Sequence, residues 1–361
     1  MEKMINCKTG TLEDLFLDSP EWNTVIKSLN HVRVAEKRED LDLSDFADPT
    51  SVLPIIEEAG INIHYNSPVV DNLVSGQKVV SSYPRDLFVA QVEEEDARKM
   101  AGRNGVLVVS SDNPSLDQIK RPVLPIELKK GANNSWHNIF LCLTESPRVP
   151  INSLVIIDRY LFVRYSQYGW RQGINNLTKI LSEALPMQFS DRFDVLIITS
   201  DERLDTRGGG MDDIIYELNE QCQELRSFDI NLEVLVLKKQ LEGERYDELG
   251  KRIWEESHDR RLISNYYRIS ATKGFFAFVG SKTNEVLRTQ VITVDCAFSN
   301  IDNKYAQRLG FPIKGYDDTL TEIYRFVLTH GKSSSSYQFY KNGSWKKDLS
   351  TFENRIVMQR K

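Results

Sequence analysis

The chain has 361 residues, 40% of them hydrophobic and 27% charged, with a net charge of −6. These totals fit a soluble globular protein of two or three domains, long enough to bury a sizeable core. They argue against wholesale coating of nucleic acid, and no run approaches the roughly 18 apolar residues of a membrane-spanning helix.

The opening stretch, MEKMINCKTGTLEDLFLD, lacks the apolar run of a secretory signal. Cys7, Cys142, Cys222 and Cys296 are scattered, with no CxxC pair and no histidine at ligand spacing. That argues against a zinc site or a disulfide framework and predicts a reducing, cytoplasmic setting. Helical spacing covers Thr11 to about Leu29, with Pro20 as a break or second start. Asp40–Asp48 reads as an acidic surface or partner segment, and Val52–Ala59 as a short helix stopped by Gly60. Ile61–Tyr65, Gln77–Val80, Phe88–Val92 and Gly105–Ser110 read as strands, with a helix over Glu93–Met100. The alternation predicts an N-terminal α/β or α+β module of unknown role over residues 1–145. Ile126–Lys129 reads as an edge or hairpin strand, and the border falls at 131–150.

A more regular pattern follows. Ser153–Ile157, Asp194–Thr199 and Asn231–Leu237 are apolar strand-sized runs, separated by amphipathic helices at Asn175–Leu185 and Met211–Arg226. That order predicts parallel pairing with right-handed crossovers. Asn265–Ile269, Gly274–Val279 and Gln290–Ala297 read as further strands, and Asp317–Leu328 as a helix. Asn342-Gly343 is a strong hairpin signal within a C-terminal hairpin and tail over 331–361.

Residues 251–290 hold eight basic side chains against four acidic ones, a local balance of about +4 in an acidic chain. Such an island is a candidate phosphate site. Within it stand His258-Asp259-Arg260, then Asn265, the Lys273-Gly274 step, Gly280-Ser281 and Asn284. This order resembles the His-x-Lys-x4-Asp and Gly-Ser-x-x-Asn motif of phospholipase D-class enzymes. Arg260 stands at the lysine place and can grip phosphate with two donors. Asn265 stands where the family has the carboxylate that orients the histidine. A histidine without that partner can bind phosphate but is a poor nucleophile.

Residues 153–280 are more closely similar to the divergent phospholipase D-like domain at the C-terminus of MIT-domain proteins and in bacterial relatives. The parallels run through SLVIIDRY, Asn176-Leu177, DVLIITSDE, NLEVLVL, HDR and Lys273-Gly274. Arg159 stands where proline is usual. The resemblance implies a mixed sheet flanked by helices over 150–330. It implies a degenerate, dimeric domain that binds phosphoinositide or a protein partner without turnover. The expected ligand residues are His258, Arg260, Asn265, Lys273, Ser281 and Asn284, with His258 catalytic if any activity remains. Such a site needs two histidine motifs, so catalysis would require a homodimer. The ligand is a lipid headgroup, a nucleic-acid backbone or a nucleotide, the first implying peripheral membrane attachment.

Two other readings stay open. Glu127-Leu128-Lys129 resembles the Glu-x-Lys motif of metal-dependent nucleases, with Asp112 or Asp117 as partner carboxylate. Only that reading calls for a cofactor, a divalent metal. The other is a structural subunit whose basic segment docks an acidic protein. Asp201, Glu202, Asp205, Asp212 and Asp213 lack the spacing of a calcium loop, and Gly208–Gly210 is not followed by the Lys-Ser/Thr of a P-loop.

Overall fold

The computed structural model describes residues 4–27, 29, 31–41, 51–77, 84–117, 125–145, 148–162, 170–202, 204, 210–239, 246–256, 260–279, 284–296, 313–331 and 335–359. Its N-terminal elements are β1 (Met4–Cys7), α1 (Thr9–Asp18), α2 (Pro20–Lys27), β2 (His31–Val34), α3 (Val52–Glu58), β3 (Asn62–His64), α4 (Val69–Val74), β4 (Leu87–Ala90), α5 (Glu94–Asn104) and β5 (Leu107–Ser110). The strands form a five-stranded parallel sheet in the order β3-β2-β1-β4-β5. Every residue of β1, β4 and β5 is buried, as parallel strands covered on both faces require. Three glutamate and aspartate residues in the first turn of α5 offset its dipole, and Gly105, at φ 62°, ends it.

The remaining elements are β6 (Ile126–Leu128), α6 (Trp136–Thr144), β7 (Ser153–Ile157), α7 (Arg171–Ala184), β8 (Phe193–Ser200), α8 (Met211–Gln223), β9 (Ile230–Leu237), α9 (Glu248–Glu256), β10 (Arg261–Ser264), β11 (Tyr267–Ala271), β12 (Gln290–Cys296), α10 (Ile313–Thr329), β13 (Tyr337–Lys341), β14 (Ser344–Lys346) and α11 (Arg355–Met358). They build a nine-stranded mixed sheet, β14-β13-β9-β8-β7-β10-β11-β12-β6. The β7, β8 and β9 strands are parallel, as their spacing predicts, and the others pair antiparallel. Ile174, Leu177, Ile214 and Leu218 of α7 and α8 cover one face; Ile253, Leu320, Ile323 and Ile356 of α9, α10 and α11 cover the other. No described helix is long and apolar enough to cross a membrane.

Several boundaries differ from the sequence reading. Residues 126–145 lie with the second sheet, because β6 bonds to β12 and α6 packs on α7. The hairpin at Asn342-Gly343 forms, with both residues at positive φ, but β13 pairs with β9 and so extends the sheet. Strand β10 escaped the reading altogether, and Asn265-Tyr266 is the turn between β10 and β11. Gly274–Val279 is not a strand. Its Phe275 and Phe278 rings turn inward onto Trp136, and among the described residues it keeps one isolated bridge, Phe278 to Val286. Most of the expected strand Gln77–Val80 and of the Asp40–Asp48 segment lies outside the described residues.

The C-terminal residues clamp the amino ends of the central strands. Glu233 Oε1 and Oε2 accept the backbone N–H groups of Glu353 (2.8 Å) and Asn354 (3.0 Å), with Lys341 Nζ 3.6 Å away. Arg355 Nε donates to Asp194 Oδ2 at 2.9 Å, and Ser153 Oγ to Asn354 Oδ1 at 3.3 Å. At the same end of the sheet, Asn265 Oδ1 accepts Asn152 N (3.0 Å) and Ser153 N (3.3 Å), and its amide donates to Asn152 Oδ1 (2.8 Å) and Pro84 O.

Two outcomes are expected. Asn265→Ala strands two buried backbone donors and lowers stability by about 2–5 kcal/mol in urea unfolding. Burial pushes the Glu233 carboxyl up from 4.5 to about 7. Folding therefore favours its protonated form, so this stabilisation is full below about pH 4.5 and is lost as pH rises through about 7. The thermal midpoint should fall between pH 5 and 8 on this account, and Glu233→Gln should flatten that slope.

Candidate functional site

Because β7, β8 and β9 are parallel, their carboxyl ends share one edge of the sheet, the usual place for ligands in α/β folds. Each apolar run stops there at charged residues: Asp158-Arg159-Tyr160 after β7, Asp201-Glu202 after β8, and Lys238-Lys239 after β9. The ladder continues one residue past β7, with Asp158 N donating to Ile198 O at 3.1 Å. The Asp158 side chain is buried; Oδ1 accepts Tyr160 N (3.0 Å) and Oδ2 accepts Phe275 N (2.9 Å). Burial raises its pKa, opposed by those two N–H groups and by the charges of Arg260 and Arg288.

Gly274 makes this contact possible. At φ 102° it presses the chain against the carboxylate, and a Cβ there would lie 2.5 Å from Asp158 Oδ2. The β10 register sets Arg261 opposite Ile157, which brings Arg260 alongside Asp158. Arg260 sits at φ 50°, donates through Nη1 to Thr272 O at 3.3 Å, and holds its guanidinium 5.9 Å from the Tyr160 ring centre.

Arg159 also lies against Tyr160, 5.2 Å from that ring and 4.8 Å from the ring of Tyr246. It donates twice to Glu202 Oε2, from Nε at 2.9 Å and Nη2 at 2.5 Å. Lys239 Nζ is 3.1 Å from Glu202 Oε1, and Tyr246 OH donates to Oε2 at 3.2 Å. Burial raises the Glu202 carboxyl, but the bonds from Arg159 and Lys239 outweigh it and leave the group below its ordinary range. Arg159 and Lys239 are thus paired with Glu202, while the charges of Arg260 and Arg288 act on Asp158.

The expected site residues divide between the two ends of the sheet. Arg260 and Lys273 are at the carboxyl end; Lys273 is exposed, and its backbone N–H donates to Gln290 Oε1 at 3.2 Å. His258, two residues before Arg260, and Ser281 lie outside the described residues. Asn265 sits at the far end of β10, and both its polar atoms are engaged in the bonds given above. Asn284 is exposed; its carbonyl accepts Asn134 N at 2.8 Å, and it lines a separate cleft of about 410 Å³ with Trp136, His137, Lys179 and Glu183. Glu127 and Lys129 are exposed on the edge strand β6 and just beyond it, 4.0 Å apart. Among the described residues no three His, Cys, Asp or Glu side chains gather as metal ligands.

Asp158, Tyr160, Glu202, Lys239, Tyr246 and Arg288 were not picked out as site residues from the sequence. The signal for the first four was present: charged or aromatic residues directly after each buried parallel run. Tyr246 and Arg288 reach the site from distant loops and carry no local signature. No protein-family model matches the chain, and a search of curated proteins returns no match.

The close approach at Gly274 has a measurable consequence. Gly274→Ala should lower the thermal midpoint well beyond Gly343→Ala. Both glycines have positive φ, but a Cβ at Gly343 meets nothing within 4 Å.

Proposed function

We propose that this chain recognises a phosphate or phosphodiester group at the carboxyl end of β7, β8 and β9, in a phospholipase D-like domain that acts by binding without turnover. The observation that carries this reading is the backbone of Arg260. It is a long, always-charged residue held at φ 50°, while the other described non-glycine residues at positive φ, Asn66 and Asn342, are asparagines. Such a conformation costs on the order of 1–2 kcal/mol and persists only where surrounding contacts impose it. Here it sets a guanidinium 5.9 Å from the Tyr160 ring centre, at the carboxyl end of the parallel strands.

Guanidinium groups suit this role, since their forked donors match two phosphate oxygens at once. Arg260 and Arg288 are the anion-binding pair in this reading; His258 lies two residues before Arg260, and Lys273 follows Thr272, whose carbonyl accepts the Arg260 guanidinium. Asp158 holds the Gly274-Phe275 turn in place. The phosphate belongs to a nucleotide, a nucleic-acid backbone or a lipid headgroup, and the phospholipase D-like reading brings a homodimer with it.

Titration calorimetry with pyrophosphate and with a short oligonucleotide tests the proposal. Binding should weaken as salt rises. Arg260→Ala should lower affinity roughly tenfold or more, as loss of a charge-assisted pair does, while leaving the unfolding midpoint within about 1 kcal/mol of wild type. Absence of salt-dependent binding, or indifference to Arg260→Ala, would falsify it. Hydrolysis without metal that disappears in His258→Ala would replace binding alone with catalysis.

A further inference from the structure

Helices α6 and α7 pack side by side and frame the cleft of about 410 Å³ already met at Asn284. That volume falls within the range of small-molecule sites. Trp136 and Phe278 are both buried and line its apolar part, their rings meeting edge-on at 5.5 Å. Ser135, His137, Lys179 and Glu183 line its polar part.

The charges here are not paired as their spacing leads one to expect. Lys179 and Glu183 stand four residues apart on α7, on one face of the helix, where lysine and glutamate ordinarily attract each other. Instead Glu183 Oε2 lies 3.0 Å from His137 Nδ1 on α6. Lys179 has no ion-pair or hydrogen-bond partner among the described residues. It is partly buried, and burial lowers its pKa from 10.5 with no neighbouring carboxylate to oppose the shift. An ammonium group withdrawn from water favours a counter-charge. The amino end of α6 faces the same cleft: Ser135 caps it, accepting Asn138 N at 3.2 Å, and its first turn holds no acidic residue. Its dipole adds to the preference for an anion.

We infer that this cleft binds a small organic carboxylate, with Lys179 as its counter-ion and His137 as the residue that holds Glu183 aside. One unpaired ammonium matches one negative charge. A phosphate dianion would bring a second charge up to the Glu183 carboxylate. Trp136 and Phe278 suit the hydrocarbon part of such a ligand. The site is distinct from the Arg260 region and stands independently of the phosphate reading.

Fluorine NMR line broadening on the full chain tests it, with para-fluorobenzoate and its neutral counterpart para-fluorobenzamide as probes. The benzoate should bind roughly tenfold more tightly, the scale of one charge-assisted bond. Lys179→Met keeps the length of the side chain and removes its charge. It should bring the two probes level without lowering the urea midpoint. His137→Ala should weaken the benzoate by freeing Glu183 to close onto Lys179, and adding Glu183→Gln should restore it. Arg260→Ala should change neither probe. Equal binding of the two probes to the wild type, or binding of neither, overturns the inference, as does a benzoate preference that survives Lys179→Met. A lowered midpoint in Lys179→Met also overturns it, since the ammonium would then have a partner inside the protein. A loss in His137→Ala that Glu183→Gln does not restore removes the role given to His137. If para-fluorophenyl phosphate binds more tightly than the benzoate and is lost in Lys179→Met, the cleft takes phosphate and the carboxylate assignment falls.

Discussion

The two sheets are joined by a buried polar knot at the turn between β10 and β11, and the rest of the architecture depends on it. Asn265 binds the backbone at Asn152 and Ser153 on one side and Pro84 on the other. Next to it, Tyr266 OH donates to Asp86 O at 2.5 Å and accepts Leu107 N at 2.9 Å. Asn152 Nδ2 adds a bond to Asn104 O at 3.1 Å. Gly105 backs directly onto Ile151, where a Cβ would meet the carbonyl oxygen at 2.3 Å. In a low-dielectric interior such bonds are strong when complete and costly when one member is lost. A single apolar cluster runs through both sheets around this knot, from Ile5 and Val32 to Val234 and Ile292.

The same hairpin serves both ends of the larger sheet. Its turn ties the N-terminal sheet in place; its open end presents Arg260 and the Thr272-Lys273-Gly274 turn. Strand β10 is wedged between β7 and β11, so the arginine stands on a central element of the sheet and its position is fixed by paired backbone. The carboxylates at this edge have scaffold roles. Asp158 collects two backbone N–H groups, and Glu202 holds Arg159 and Lys239 together.

Much of this fold is legible in the sequence where burial is uniform. The runs SLVII, DVLIITS and NLEVLVL, separated by amphipathic helices, have few alternatives to parallel strands, and the structure has them so. Where side chains face different environments the sequence misleads. The stretch Arg260-Arg261-Leu262-Ile263 does not stand out as a strand, because its strand character comes from β7 and β11 on either side. Gly274–Val279 reads as a strand from its aromatic content, yet its rings serve the packing around Trp136, and Gln172 and Asn176 satisfy the Phe278 carbonyl. Asn265 illustrates the limit of motif spacing for the candidate site. Counting residues from His258 ignores that the chain runs the length of β10 in between, which carries Asn265 to the opposite end of the sheet.

The clamp at the amino ends of the central strands bears on how the chain is made. Glu233 and Asp194 are buried carboxylates whose partners, Glu353, Asn354 and Arg355, lie at least 120 residues further along. The β9 edge is likewise closed by β13, about a hundred residues later. On a ribosome, the three parallel strands would emerge well before the segment that neutralises their ends and covers their flank. Pairings of such long sequence separation form slowly, and a nascent chain awaiting them exposes an apolar sheet edge. Synthesis of this protein therefore passes through an interval in which completion of the sheet competes with aggregation.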